Sequence, residues 1–285
     1  FGSYTKSSAE FIPGENLQGD SWQMSGRYNI QLPTLDPVSH SLYAGLDFKQ
    51  SSNALLIFGQ DLGTGPGSGL APFSIFQLTL GYNGSIPDEL GMTSFDLGGF
   101  YSPGGVTGWN NTKQFQNVVL NSCASYVYGK LNFNRTFILP YKFTISGNFN
   151  GQLASTALMP TEEYGLGGYN TVRGYDERSA NGENAYVFNV ELRTPPGSVF
   201  KIFGEQDVDD TIQFLGFFDY GYVGNIKPVA GTPEQTVFLM SIGPGLRYNI
   251  DRFVSVRFDW GFQLHQAPIN SVTGSRAELS VTAAY

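Results

Sequence analysis

The stretch Ala185-Tyr186-Val187-Phe188-Asn189-Val190-Glu191-Leu192-Arg193 decides the fold class. Tyr186, Phe188, Val190 and Leu192 fall on one face of an extended chain, and Asn189, Glu191 and Arg193 fall on the other, because side chains of a strand alternate sides. One face suits lipid and the other suits water. The same alternation recurs to either side. In Ser21–Leu32, Trp22, Met24, Tyr28, Ile30 and Leu32 oppose Gln23, Ser25, Arg27, Asn29 and Gln31. In Tyr141–Leu153, Phe143, Ile145, Phe149 and Leu153 oppose Thr144, Ser146, Asn148, Asn150 and Gln152. In Thr211–Val223, Ile212, Phe214, Phe218, Tyr220 and Tyr222 oppose Gln213 and Asp219. Phe253–His265 repeats the pattern with Arg257 and Asp259 on the polar side, and Leu279–Tyr285 continues it.

A soluble β-sandwich also alternates, with its apolar face turned inward. Strand length separates the two. These segments reach the ~9–11 residues of a membrane strand and exceed the ~5–6 of an ordinary one, and aromatics crowd their ends as in interfacial girdles. Trp22 and Trp260 read as lipid-facing or girdle residues. Composition agrees. Of the 285 residues only 14% are charged and 15% are aromatic, with 36 glycines, against roughly 25% charged in soluble proteins. Mean hydropathy is −0.15, and no run approaches the ~20 apolar residues of a spanning helix. The sequence therefore predicts an all-β, antiparallel transmembrane β-barrel with thirteen or fourteen strands and no helical period. Tyr101–Ser125 reads as a long loop, with or without a poor strand. Leu139–Tyr141 and Asn249–Arg252 are tight connections, whereas Ala154–Asn184, Asn225–Gln235 and Gln266–Arg276 are long and are assigned to the outer surface, since outer-membrane barrels keep short turns on the periplasmic side. Thr194–Asp210 is long at the end where short turns are expected.

Several function classes find no support. A net charge of −8 opposes nucleic-acid binding, which needs a cationic footprint. The single cysteine, Cys123, forms no intrachain disulfide or CxxC clamp. Gly63–Gly69 is glycine-rich but no Lys-Ser/Thr follows, so it is read as a loop and no nucleotide is expected. Asp207, Asp209 and Asp210 lack calcium-loop spacing and read as a solvated acidic turn. His40 and His265 complete no catalytic set, and neither a cofactor nor a metal is expected. Because the chain opens on Phe1 and an outer-membrane protein must be exported, residues 1–285 are expected to be the C-terminal barrel portion of a longer chain.

One loop remains: Gly167-Gly168-Tyr169-Asn170-Thr171-Val172-Arg173-Gly174-Tyr175. Its plain reading is a flexible surface loop with a hydrated arginine. Residues 172–175, however, spell Val-Arg-Gly-Tyr, and Phe218-Asp219-Tyr220-Gly221 follows two strands later. In these motifs the chain resembles the Omp85/TpsB superfamily of outer-membrane transporters. There the tetrad sits on the sixth extracellular loop, which folds back into the lumen of a sixteen-strand barrel, and five strands follow it, as here. Leu158–Tyr164 and Glu191–Pro195 are similar to the TpsB branch, the pores of two-partner secretion akin to haemolysin and filamentous-haemagglutinin transporters. Tyr285 departs from the family's usual terminal Phe, and the POTRA domains and first strands of that family have no counterpart in this chain.

The resemblance implies a transport motif at Val172, Arg173, Gly174 and Tyr175 and a wall motif at Phe218, Asp219 and Gly221. Charge chemistry supports their pairing independently. Asp219 lies on the polar face, and a guanidinium is a permanent, rigid fork that grips a carboxylate with two hydrogen bonds. The expectation is that Arg173 latches the loop to Asp219. The implied activity is secretion of an unfolded partner exoprotein through a barrel embedded in outer-membrane lipid of a bacterial-type cell, driven by folding outside or by binding energy. Two rivals are an insertase of the same superfamily and a passive porin.

Overall fold

The structure is a computed structural model that describes residues 1–12, 15–57, 60–61, 71–202, 209–226, 236–266 and 274–284. Its strands are β1 (Gly2–Ile12), β2 (Glu15–Gln31), β3 (Ser39–Ile57), β4 (Gln60–Asp61), β5 (Phe73–Asp88), β6 (Gly91–Ser102), β7 (Tyr126–Ile138), β8 (Thr144–Ala154), β9 (Tyr164–Leu166), β10 (Ala180–Gly182), β11 (Asn184–Arg193), β12 (Asp210–Gly224), β13 (Thr236–Ile250), β14 (Val254–Gln263) and β15 (Ser275–Ala283). All but β9 and β10 form one antiparallel sheet of thirteen strands, in the order β1-β2-β3-β5-β6-β7-β8-β11-β12-β13-β14-β15, with the two-residue β4 beside β3. Each long strand pairs with its sequence neighbour, as in an up-and-down barrel wall. No ladder joins β1 to β15 among the described residues.

Burial follows the alternation read from the sequence. On β11, Ala185 and Val187 are buried while Tyr186, Phe188 and Leu192 are exposed. On β12, Leu215, Phe217 and Asp219 are buried while Phe214 and Tyr220 are exposed. An exposed aromatic face with buried carboxylates behind it inverts the soluble rule and is what a lipid-facing wall requires. Trp22 and Trp260 are among the exposed aromatics. No helix is long and apolar enough to cross a membrane.

Connections alternate in length from one end of the wall to the other, the 194–209 connection excepted. Glu89–Leu90, residues 139–143 and residues 251–253 are short, while residues 103–125 and 155–183 are long. Three expectations need correction. Residues 141–143 are not strand: Pro140–Lys142 is a 3-10 turn, with Tyr141 and Lys142 at φ 61 and 64, so the strand starts at Thr144. The Tyr101–Ser125 segment holds a helix, α1 (Thr112–Val118), whose first turn is capped by Asn111 accepting from the Gln114 N–H at 3.0 Å. Such a cap satisfies a donor that has no partner inside the helix. Asp210 is no solvated turn residue: it is buried, accepting from the Val199 N–H at 2.7 Å and from Ser198 Oγ, and thereby fixes a second short helix, α2 (Val199–Ile202). That helix accounts for part of the length of the 194–209 connection. Asp207, the Gly63–Gly69 run and Tyr285 lie outside the described residues, as does most of 225–235 and 266–276.

The long 155–183 connection supplies much of the interior. It folds onto the buried face of the wall, so two apolar clusters form between loop and wall. One joins Leu158 and Met159 to Phe73, Ile75, Phe115, Val118, Tyr126 and Tyr128. The other joins Leu166, Val172 and Tyr175 to Val187, Val223 and Leu239.

Candidate functional site

The tip of this inward loop is shaped by the β9–β10 hairpin, in which Leu166 pairs with Ala180, and by glycines beyond it. Gly174 has φ +90, and a Cβ there would lie 2.9 Å from the backbone of Gly261 on β14. Two glycines thus let loop and wall touch backbone to backbone, and φ > 0 is cheap only for glycine. Gly221 does the same for side chains: a Cβ on it would lie 2.3 Å from Leu166 Cδ1 and 2.8 Å from Val172 Cγ2. The room at Gly221 is therefore used by the loop's apolar residues. Tyr175 is buried and donates its hydroxyl to the Met240 carbonyl at 2.8 Å, with the His265 carbonyl also in contact. Gln263 donates to the Gly174 carbonyl at 2.7 Å.

These contacts place Arg173, 3% exposed, against Asp219, 0% exposed. Arg173 Nε donates to Asp219 Oδ2 and Nη2 to Oδ1, both at 2.7 Å, and the Arg173 backbone N–H adds a third bond at 3.1 Å. Nη1 donates to Glu191 Oε1 at 2.6 Å and approaches Asp259 Oδ1 at 3.4 Å. The guanidinium carbon lies 3.6 Å from the centroid of the Phe217 ring, a cation–π contact in a desolvated setting. Burial works against the charge of Arg173, yet the hydrogen bonds and charge of Asp219, with Glu191 and Asp259, raise its pKa further, so it stays charged at every ordinary pH.

The sequence motifs captured Arg173 and Asp219 but not the rest of the network. Arg247 Nη1 donates to Asp259 Oδ1 at 2.9 Å, Arg257 Nε to Asp259 Oδ2 at 2.7 Å, and Arg193 Nη2 to Glu191 Oε2 at 2.6 Å. Asn189 bridges loop and wall, donating to the Thr171 carbonyl at 2.6 Å and to Asp219 Oδ1 at 2.8 Å. Glu191, Asp259 and Arg257 already stood on the polar face in the alternation; that position was the available signal. Val172 is buried in the apolar cluster and Phe218 lies on the outer side of β12, so neither touches the ion pair. Beside the guanidinium lies a polar cavity of about 350 Å³, lined in part by Asn132, Asn148, Asn189 and Arg257.

A second cluster went unread in the sequence. Glu162, 2% exposed, accepts from Lys49 Nζ at 2.7 Å, from the Tyr128 hydroxyl at 2.7 Å and from Gln77 Nε2 at 3.3 Å. No group of three or more His, Cys, Asp or Glu side chains suited to a metal occurs among the described residues.

Known proteins sharpen the picture. The family model for haemolysin secretion/activation protein ShlB/FhaC/HecB matches residues 77–248. No curated protein sequence matches the chain. Among solved structures, CdiB from Escherichia coli is similar over 100% of this chain and 49% of its own, at 16% identity and TM-score 0.78. CdiB from Acinetobacter baumannii is similar over 95% and 43%, at 18% identity and TM-score 0.61. BamA from Haemophilus ducreyi lacking POTRA domains 1-3 is similar over 98% and 57%, at 14% identity and TM-score 0.57. The chain thus spans about half the length of these structures, and at such identity they establish the fold alone.

Proposed function

The chain belongs to the haemolysin secretion/activation protein family ShlB/FhaC/HecB, and from that premise we propose that it forms the barrel of a two-partner secretion transporter that passes an unfolded exoprotein across the outer membrane. It is an integral β-barrel of that membrane, and its family and fold are those of transporters. The observation that carries the finer reading is the inward loop, fastened through Arg173 to the buried Asp219. A loop folded onto the inner wall occupies space a translocating chain must use, so its fastening governs passage. A passive pore has no need of a buried, fully partnered arginine there. The partner polypeptide would meet a wall of amides and hydroxyls, which can hydrogen-bond an extended backbone without reading its sequence. The site residues of this reading are Val172, Arg173, Gly174, Tyr175, Asp219 and Gly221, with Phe218 as part of the wall motif only.

Likeness to BamA keeps an insertase as the second reading. One experiment addresses all three. Arg173→Ala is made in the full-length protein and its insertion is checked by heat-modifiable migration. Export of a co-expressed partner should fall to background with the barrel still inserted. Unchanged export favours a porin. Retained export, with loss of other barrels from the membrane, favours an insertase.

A further inference from the structure

The loop's upstream limb, residues 157–163, has its own attachment, distinct from the one at its tip. Leu158 and Met159 are fully buried against Phe115 of α1 and the wall residues Phe73, Ile75 and Tyr128. Next to them the chain turns, the Glu162 N–H donating to the Met159 carbonyl at 2.8 Å. The turn drives the Glu162 carboxylate into the wall. Lys49 on β3, Gln77 on β5 and Tyr128 on β7 donate to it. Gln152 on β8 donates to its backbone carbonyl at 3.0 Å. Gln77 also donates to Asp47 at 3.2 Å, and Asp47 is paired with Arg27 at 2.7 Å. The tip instead meets Glu191 on β11, Asp219 on β12 and Asp259 on β14. In the sheet order the limb's partners lie between β3 and β8 and the tip's between β11 and β14, so the two stretches are neighbours that share no strand.

We propose that Glu162 is a second anchor of the inward loop, a positioning residue that makes the loop a strap tied to two separate stretches of the barrel wall. Holding the tip alone would leave the limb to its apolar contacts through Leu158 and Met159, with no directional bond to the wall between β3 and β7. With both ends tied, neither attachment can give way without leaving buried polar groups short of a partner, which is costly inside a protein. Leu158 and Met159 also hold the limb, through apolar contact that fixes no charge. Thr161 donates to the same carboxylate at 3.2 Å, so it belongs to the anchor. Glu163 next in sequence makes no contact with Lys49 and serves as the internal control.

This inference rests on the transport reading only in taking the loop to govern the lumen, and it is tested without a partner polypeptide. The full-length protein is reconstituted in planar bilayers and its spontaneous openings are counted. Glu162→Gln keeps an acceptor for Tyr128 and Gln77 but removes the charge facing Lys49. It should raise opening frequency about ten-fold, the change expected when a charge-assisted hydrogen bond is lost. Lys49→Met should do the same, and the double variant should add nothing further, because both remove one contact. Lys49→Arg should restore quiet channels, and Glu163→Gln should leave them unaltered near pH 5, where its carboxyl is protonated. Heat-modifiable migration checks that each barrel is folded. Folded Glu162→Gln and Lys49→Met channels that open no more often than the parent overturn the proposal, as do additive effects in the double variant. Should Arg173→Ala still export the partner while Glu162→Gln opens the channel, the transport reading fails and the second anchor stands.

Discussion

The two ends of the inward loop are held by different chemistry. At the tip a planar guanidinium meets a carboxylate with two matched bonds, stacks on Phe217, and sits among three other guanidinium groups and two more carboxylates. At the limb a lysine ammonium, 18% exposed, meets one carboxylate that neutral groups complete. The first is specific for shape, because only arginine presents a fixed fork. The second is specific mainly for charge, because an ammonium is a point donor on a flexible stem. The tip therefore tolerates no substitute, whereas the limb accepts any cation of the right reach.

Exchange of the cations is the sharpest way to break this contrast and carries the largest effect. Arg173→Lys should behave almost like Arg173→Ala, since one ammonium cannot satisfy both oxygens of Asp219 together with Glu191. Uncompensated buried carboxylates cost about 3–5 kcal/mol. Lys49→Arg should cost well under about 1 kcal/mol. Urea unfolding of the two variants in the same detergent measures both. If Arg173→Lys proves as mild as Lys49→Arg, the tip is no more shape-specific than the limb.

A smaller effect isolates geometry from charge. Gly174→Ala forces a side chain into φ +90 and against the Gly261 backbone, and Gly261→Ala would bring a Cβ to 2.5 Å from the Gly174 N. Each should cost about 1–3 kcal/mol through strain and overpacking, and the losses should not add, because both push apart the same pair of backbones. Equal, additive losses would mean that the two glycines do not act at one contact.

The contrast between tip and limb also explains what could be read in advance. Faces of strands were legible because the period-two pattern of residues such as Phe188 and Asn189 is local. Arg173 and Asp219 were legible because a motif marked one and the alternation turned the other inward. Partner choice was not, since it depends on register. Asp259 lies opposite Gly245, where a Cβ would come within 2.3 Å of its Oδ1, and only the folded sheet reveals that this bare position makes room for the Asp259 carboxylate. Helix α1 buries only Phe115 and Val118, too short a stretch for its period to stand out, and Asn111 was its sole sequence signal. Glu162 had none. It sits in a loop without alternation, and its partner Lys49 is 113 positions away in the chain.

The last difference between the two ends is their response to pH, and it should be the smallest. At the tip, Arg173 stays charged throughout the ordinary range. Beside the limb anchor, burial and the charge of Glu183 push the Glu163 carboxyl up to about 7 from 4.5, with Arg178 pulling the other way. Burial also raises Glu183, against the hydrogen bond it accepts from the Ile226 N–H. A folded pKa above the unfolded one means that the folded state binds the proton more tightly. The stability this contributes is fully present below about 4.5 and is lost as pH rises through about 7. The limb should therefore be tightest in mild acid and loosen toward neutrality while the tip does not change. Amide hydrogen exchange, corrected for intrinsic rate, should show less protection in residues 158–166 at about pH 8 than at about pH 5, with residues 172–175 equally protected at both. Glu163→Gln should remove the difference. If residues 158–166 are equally protected at the two pH values in the parent, or if the tip loosens with the limb, the two anchors are not independently held.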